Sequence, residues 1–347
     1  MREWVSGLRK KVILGLILVL AVTFCCYLES VSAAPDDASF AELKKEAEKE
    51  GKVVFYGSIS APDGMALADR FQKKYPFLKV EFYRLNNTGI LTRLQAERNA
   101  KKNTADVIVL KGDAIHGLQK NGFLSRYLSS ERESYSEKFK DKEGYWTDLY
   151  ITVHCIVYNS RLVAPHEVPT TYQDLLKPRW KRKIGFNPDN YMWPEGIMQM
   201  MGKEEGLKYL EALARQNPIV RDGGTLNTML TAAGEVALAL PINNNNVEAV
   251  KDKGAPVDWA RLKPFYGDLH PIALAANAPH PQAAKLFIDF CTSQEGQMLV
   301  AELGKIPSRS GLKAKTTVRS EEINAIDPTL EKTEYYQRLI KQIFVKK

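Results

Sequence analysis

The chain has 347 residues, with 49 Lys and Arg against 41 Asp and Glu and a formal net charge of +8. That length accommodates one or two domains, and a composition of 44% hydrophobic and 26% charged residues excludes a disordered chain. The basic residues are mostly dispersed apart from Lys177-Pro-Arg-Trp-Lys-Arg-Lys183, which reads as a solvated turn, and with neither a basic helix nor an aromatic-interleaved groove the chain does not read as nucleic-acid binding.

The N-terminus reads as an export signal over residues 1–33. Arg9, Lys10 and Lys11 form its charged region, Val12 to Leu28 its apolar core, and Val31-Ser32-Ala33 its small-residue cleavage site. Phe24 precedes Cys25 where a lipoprotein signal needs a small residue, so the expected product is a periplasmic chain with no stable membrane insertion. It retains Cys155 and Cys291, expected as two buried free thiols.

After the leader, Phe40 to Glu50 predicts a charged amphipathic helix and Val53 to Tyr56 a buried strand. The loop Gly57 to Asp63 is rich in small and hydroxyl residues, and the helix after it places Leu67, Phe71 and Tyr75 on one face. Leu78 to Tyr83 predicts a strand, Asn86 to Gly89 a loop, and Ile90 to Ala100 a helix. Asp106 to Leu110 is a third strand, followed by Lys111-Gly112-Asp113 and a helix to Lys120. Three repeats of strand, polar loop and helix imply a parallel sheet with its polar loops at one edge. Ser125 to Gly144 is charged and irregular, and Trp146 to Tyr158 is a long alternating stretch able to run between lobes.

A second series follows. Lys183 to Phe186 predicts a strand, Asn187 to Pro194 a loop, Lys203 to Arg215 a helix and Pro218 to Arg221 a strand. Asp222-Gly-Gly-Thr225 leads into a helix to Ala233. Val236 to Leu240 is an apolar strand closed by Pro241, and Asn243, Asn244, Asn245 and Asn246 lie past its carboxyl end. In open α/β sheets that edge holds ligands, and amides supply both donors and acceptors. The same run also reads as a loop in which Asn246 caps the next helix. Ile272 to Ala276 is a second apolar run able to cross back, and helices are predicted over Gln282–Cys291, Glu295–Leu303 and Glu331–Val345.

Several pieces, weak singly and fairly specific in their order, resemble the periplasmic substrate-binding proteins of ABC importers. These are Val54-Phe-Tyr-Gly-Ser58, Ala105-Asp-Val107, Ile156-Val-Tyr-Asn159, Gly234-Glu235, Ala278 to Phe290 and Ser293-Gln-Glu-Gly-Gln297. The branch they resemble is the ferric-ion-binding one (extracellular solute-binding protein family 1). The resemblance implies a two-lobed type II periplasmic-binding-protein fold of class α/β. Each lobe is a mostly parallel sheet flanked by helices, and two crossing strands join them. The expected lobes are 34–152 plus 275–320 and 153–274 plus 321–347. It also implies no catalysis, no cofactor, an importer permease as partner, and action as a monomer.

In the family iron is held by a His in the first loop, a Glu after the third strand and two adjacent Tyr after the late strand. The matching positions here are Ser60, Lys111, Asn245 and Asn246. Ferric iron prefers anionic oxygen ligands, so the ferric site is expected to be lost. Tyr335-Tyr336, in the terminal helix, is not its replacement. The ligand-binding residues expected instead are Ser58, Ser60, Thr88, Gly89, Lys111, Asn190, Tyr191, Gly224, Thr225, Asn243, Asn245 and Asn246. Lys111 would supply a positive charge, and the helix starts near the small and hydroxyl residues favour anions. The expected solute is thus a small anionic or polar organic molecule: a phosphonate, a sugar phosphate or a carboxylate. Ferric iron in a different ligand set, and an exported enzyme on the same scaffold, are the alternatives. Against the enzyme, none of the five histidines falls in a metal-ligand spacing, and there is no nucleophile elbow, phosphate-binding loop or dinucleotide fingerprint.

Overall fold

The computed structural model describes residues 37–345 except 314, 316, 317 and 327–329. The expected export signal, residues 1–33, lies outside the described residues. The chain divides into two units, residues 1–42 and 43–347. Residues 37–42 begin the helix Asp37–Glu50, and everything below concerns the second unit. No helix among the described residues is long and apolar enough to cross a membrane.

The described strands are β1 Lys52–Gly57, β2 Lys79–Arg84, β3 Val107–Val109, β4 Leu124–Ser125, β5 Thr147–Asn159, β6 Ile184–Phe186, β7 Ile219–Val220, β8 Leu238–Asn243, β9 Val257–Ala260, β10 Phe265–Ala275, β11 Ile306–Pro307 and β12 Ile323–Ala325. Their order is β2-β1-β3-β10-β5-β8-β6-β7, with β4 and β12 on β10 and β9 and β11 on β5. The fold is α/β and two-lobed, as expected. In the first half β1 pairs in parallel with β2 and β3; in the second β6 pairs in parallel with β7 and β8. Parallel strands end at the same edge, so the loops after β1, β2 and β3 gather together, and so do those after β6, β7 and β8.

Two long strands pass from one half to the other. β5 pairs with β10 from Thr147 to Val153, then with β8 from His154 to Tyr158. β10 pairs with β12 from Phe265 to Gly267 and with β3 from Ile272 to Leu274. Val109, the last residue of β3, lies opposite Ile272, and Asn243, the last of β8, lies opposite His154. Both halves therefore deliver the ends of their parallel strands to one short crossing, Ile151–His154 beside Asp268–Pro271.

Alternation decides which face of the crossing is apolar. Ile151, Val153, Cys155 and Val157 join one core with Ile108, Leu110, Ala239 and Ile242. In the first half, Phe55, Phe71, Phe287 and Phe290 pack edge to face and tilted beneath the helices Ala61–Lys74 and Pro281–Thr292. In the second, Phe344 of the terminal helix Leu330–Phe344 stacks on Phe186 at 3.8 Å, and the Tyr336 hydroxyl donates to Glu195. Tyr336 is thus part of that packing. Cys155 and Cys291 are both buried and unbridged.

Three local expectations are corrected. Pro241 does not close β8, which continues to Asn243. The β5–β8 register shifts between Cys155 and Val157, and a proline is tolerated where the ladder skips an N–H. The helix after β2 starts at Asn87, not after Gly89, because Asn86 caps it. Residues 193–201 are helical with Pro194 in the first turn, a favoured place for a proline that also reads as a turn signal.

Candidate ligand site at the strand crossing

The polar face of the crossing carries Tyr150, Thr152 and His154 on β5 and Asp268 and His270 on β10, all buried. Asp268 is at its centre. Its Oδ2 lies 2.7 Å from Lys111 Nζ and accepts from His154 Nε2 at 2.8 Å. Burial opposes ionisation of Asp268, but the neighbouring His154 and Lys111 outweigh it and hold its carboxyl well below the usual range. His270 Nε2 is 3.1 Å from Thr152 Oγ1, and its ring stacks on Tyr150 at 4.1 Å. Burial pushes His270 down to about 3, so it is neutral at ordinary pH.

A second lysine flanks the other side. Lys305 Nζ is 2.6 Å from Asp63 Oδ2 and 5.1 Å from the Tyr150 ring centroid. Asp63 belongs to the first turn of the helix Ala61–Lys74, which Ser60 caps. Polar groups therefore follow one another from the loop after β1, along the crossing strands, to Lys111 after β3. They reach the second half at Tyr191, whose ring centroid is 5.6 Å from Lys111 Nζ.

The second half contributes amides. Asn190 Nδ2 donates to Pro241 O at 3.0 Å and to Asn243 Oδ1 at 2.9 Å. Asn187 Oδ1 accepts from Gly223 N at 3.0 Å. Asn246 Nδ2 lies where a Cβ on Gly224 would be, so only glycine admits that amide. Asn244 Oδ1 accepts from Val153 N at 2.8 Å, which ties the start of its helix to the crossing. The helix Asn244–Lys251 begins directly after β8 with Asn243 at its cap position. The reading of Asn246 as the cap is therefore corrected: it lies inside the first turn.

Four buried polar atoms here meet no hydrogen-bond partner among the described residues: His154 Nδ1, His270 Nδ1, Asn244 Nδ2 and Asn245 Oδ1. A buried polar group without a partner costs about 1–3 kcal/mol, so four of them around one crossing call for an explanation.

The expected site residues separate into two groups. Lys111, Asn190, Tyr191, Gly224, Asn243, Asn245 and Asn246 are brought to the crossing or to the amide edge beside it. Ser58 sits at the end of β1, its N–H bonded to Val109 O. Ser60 is exposed and serves as a helix cap, reaching the cluster only through Asp63. The Gly89 amide is taken by Asn86 Oδ1 at 2.7 Å, and Thr88 and Thr225 are exposed. Asp63, Tyr150, Thr152, His154, Asp268, His270 and Lys305 were not among the expected residues. The signal for three of them was the polar alternation Tyr150-Thr152-His154 between the apolar residues Leu149, Ile151, Val153 and Cys155. Among the described residues no group of three or more His, Cys, Asp or Glu is placed to hold a metal ion.

The profile described as bacterial extracellular solute-binding protein matches residues 102–328. A Salmonella typhimurium protein provisionally named a 2-aminoethylphosphonate-binding periplasmic protein is 26% identical over 275 residues, 72% of this chain and 78% of that one. The major ferric iron-binding protein of Neisseria meningitidis serogroup B is 25% identical over 221 residues, 58% of this chain and 65% of that one. Among solved structures, iron-bound HitA from Pseudomonas aeruginosa superposes with a TM-score of 0.70 at 20% identity, covering 84% of this chain and 99% of that one.

Proposed function

Since the chain belongs to the bacterial extracellular solute-binding proteins, we propose that it is an exported periplasmic binding protein that delivers a small anionic or polar organic solute to an ABC importer. A phosphonate, a sugar phosphate or a carboxylate is bound at the crossing. Closure of two lobes, 34–152 plus 275–320 and 153–274 plus 321–347, buries it, and the permease reads the closed form. The protein acts as a monomer, without a cofactor, nucleic acid or turnover.

The observation that carries this reading is the set of unpartnered polar atoms beside Lys111 and the amide edge. Imidazoles, amides and an ammonium suit a hydrogen-bonding anion with polar substituents. They do not suit a bare ferric ion, which prefers anionic oxygens. Ferric iron is the second reading, favoured by the likeness to the Neisseria protein.

Thermal unfolding of the ligand-stripped protein tests both. A ligand at a hundred times its Kd adds about 2.7 kcal/mol, which moves Tm by several degrees at about 2–4 °C per kcal/mol. A shift with 2-aminoethylphosphonate, a sugar phosphate or a carboxylate, and none with ferric citrate, supports the organic reading. A shift specific to ferric iron overturns it.

A further inference from the structure

On the other face of β10 lies a separate pocket of about 320 Å³. Leu269 and Pro271 line it, alternating along the strand with Asp268 and His270 of the polar cluster. That volume falls in the range of small-molecule sites. Its walls come from both halves. Ile115 and His116 of the helix Gly112–Lys120 and Trp146 are first-half residues, whereas Ala325 ends β12 and Ile326 follows it, and β12 pairs with the second-half end of β10.

The lining divides by chemistry. Ile115, Trp146, Leu269, Pro271 and Ile326 make an apolar floor, and Lys138, Lys140 and Lys142 make a basic rim. Lys140 is paired with Glu137 at 2.8 Å. The other acid, Asp141, accepts from the backbone N–H of Glu143 and Tyr145 at 3.0 Å each. Lys138 Nζ donates to the Ile323 carbonyl at 2.7 Å and lies 4.9 Å from the Phe139 ring centroid, and neither Lys138 nor Lys142 is paired with a carboxylate among the described residues. The indole Nε1 of buried Trp146 also has no hydrogen-bond partner among the described residues. An apolar floor and two ammonium groups without a carboxylate share one complement, an apolar body bearing one negative acceptor group.

We propose that this pocket is a second binding site, for a small amphipathic carboxylate, whose occupancy biases the arrangement of the two halves. It stands independently of the solute taken at the crossing. An occupant touches both halves beside the strands that join them, so it binds one arrangement better than the other and shifts the balance toward it.

Benzoate is the probe, with benzyl alcohol and benzylamine as neutral and cationic controls of similar size. The readout is the indole N–H resonance of Trp146, assigned as the peak lost in Trp146→Phe. Benzoate is expected to shift it saturably and the controls are not. Lys142→Glu, a change at an exposed position, is expected to leave folding intact and to weaken benzoate about tenfold. No saturable shift with benzoate, or an equal Kd in Lys142→Glu, overturns the site. An equal shift with benzyl alcohol overturns the carboxylate. Small-angle scattering reads the coupling: saturating benzoate is expected to change the radius of gyration of the wild type, and an unchanged profile overturns that part.

Discussion

Asp268→Asn keeps the side-chain shape at the centre of the crossing and removes its charge. Lys111 Nζ at 2.7 Å and His154 Nε2 at 2.8 Å are then left facing a neutral amide. Breaking a buried ion pair costs about 3–5 kcal/mol. Lys111 keeps 18% of its side chain in solvent, and the amide oxygen still accepts one hydrogen bond, so the expected loss is lower, about 2–3 kcal/mol. In a chain of this size that is a fall in Tm of about 4–12 °C. A double-mutant cycle with Lys111→Met apportions the effect, because the double variant should lose less than the sum of the singles by about 1–2 kcal/mol. The pH dependence has a definite sign. The folded carboxyl is depressed, so its stabilisation is present above the unfolded value of about 3.9 and is lost as pH falls below it. Urea unfolding followed by tryptophan fluorescence at pH 7 and pH 3.5 makes the measurement. A Tm within about 1 °C of wild type, or strict additivity with Lys111→Met, would refute the central role of Asp268.

His270 and Asp289 should oppose each other in acid. His270 is held down to about 3 by burial, so its contribution is full above about pH 6.5 and is lost as pH falls, by up to about 1.4 kcal/mol per unit. Asp289 is raised to about 6 by burial, so its contribution is full below about pH 3.9 and is lost as pH rises through 6. Between about pH 4 and 6 these two contributions to stability therefore oppose each other. In His270→Gln stability should rise on acidification across that window, and in Asp289→Asn it should fall; parallel curves for all three proteins by chemical denaturation would count against both assignments. Gly296→Ala drives a Cβ into the backbone carbonyl of Phe290 and should destabilise by about 3 kcal/mol or more, whereas an unchanged urea midpoint would show that the helix junction yields. Gly224→Ala meets only the Asn246 amide, so it should leave Tm nearly unchanged and weaken the solute found in the thermal screen by about 1–3 kcal/mol; undiminished affinity would place Asn246 outside the site.

Local pattern was enough to find most elements and their order. The apolar runs over Val53–Tyr56 and Val236–Leu240 and the helical period through Leu67, Phe71 and Tyr75 depend on neighbours three or four residues away, which any chain segment carries with it. The loops after the parallel strands were legible for the same reason, whereas Lys111, Asn190, Asn245 and Asn246 were singled out within them through the family resemblance. Their fine placement was not. Whether Pro241 ends β8 depends on the register of β5, and whether Gly89 offers its amide depends on Asn86 taking it first.

What the sequence by itself determined is an α/β chain whose polar loops follow its strands. Only the tertiary structure decided where charge resides. Asp63 and Lys305 are 242 positions apart in the chain and 2.6 Å apart in space. His154 and Asp268 meet across 114 positions at 2.8 Å. In sequence an aspartate, a lysine and a histidine look like solvated surface groups. Two strands crossing between the halves draw them out of bulk water and set opposite charges against each other.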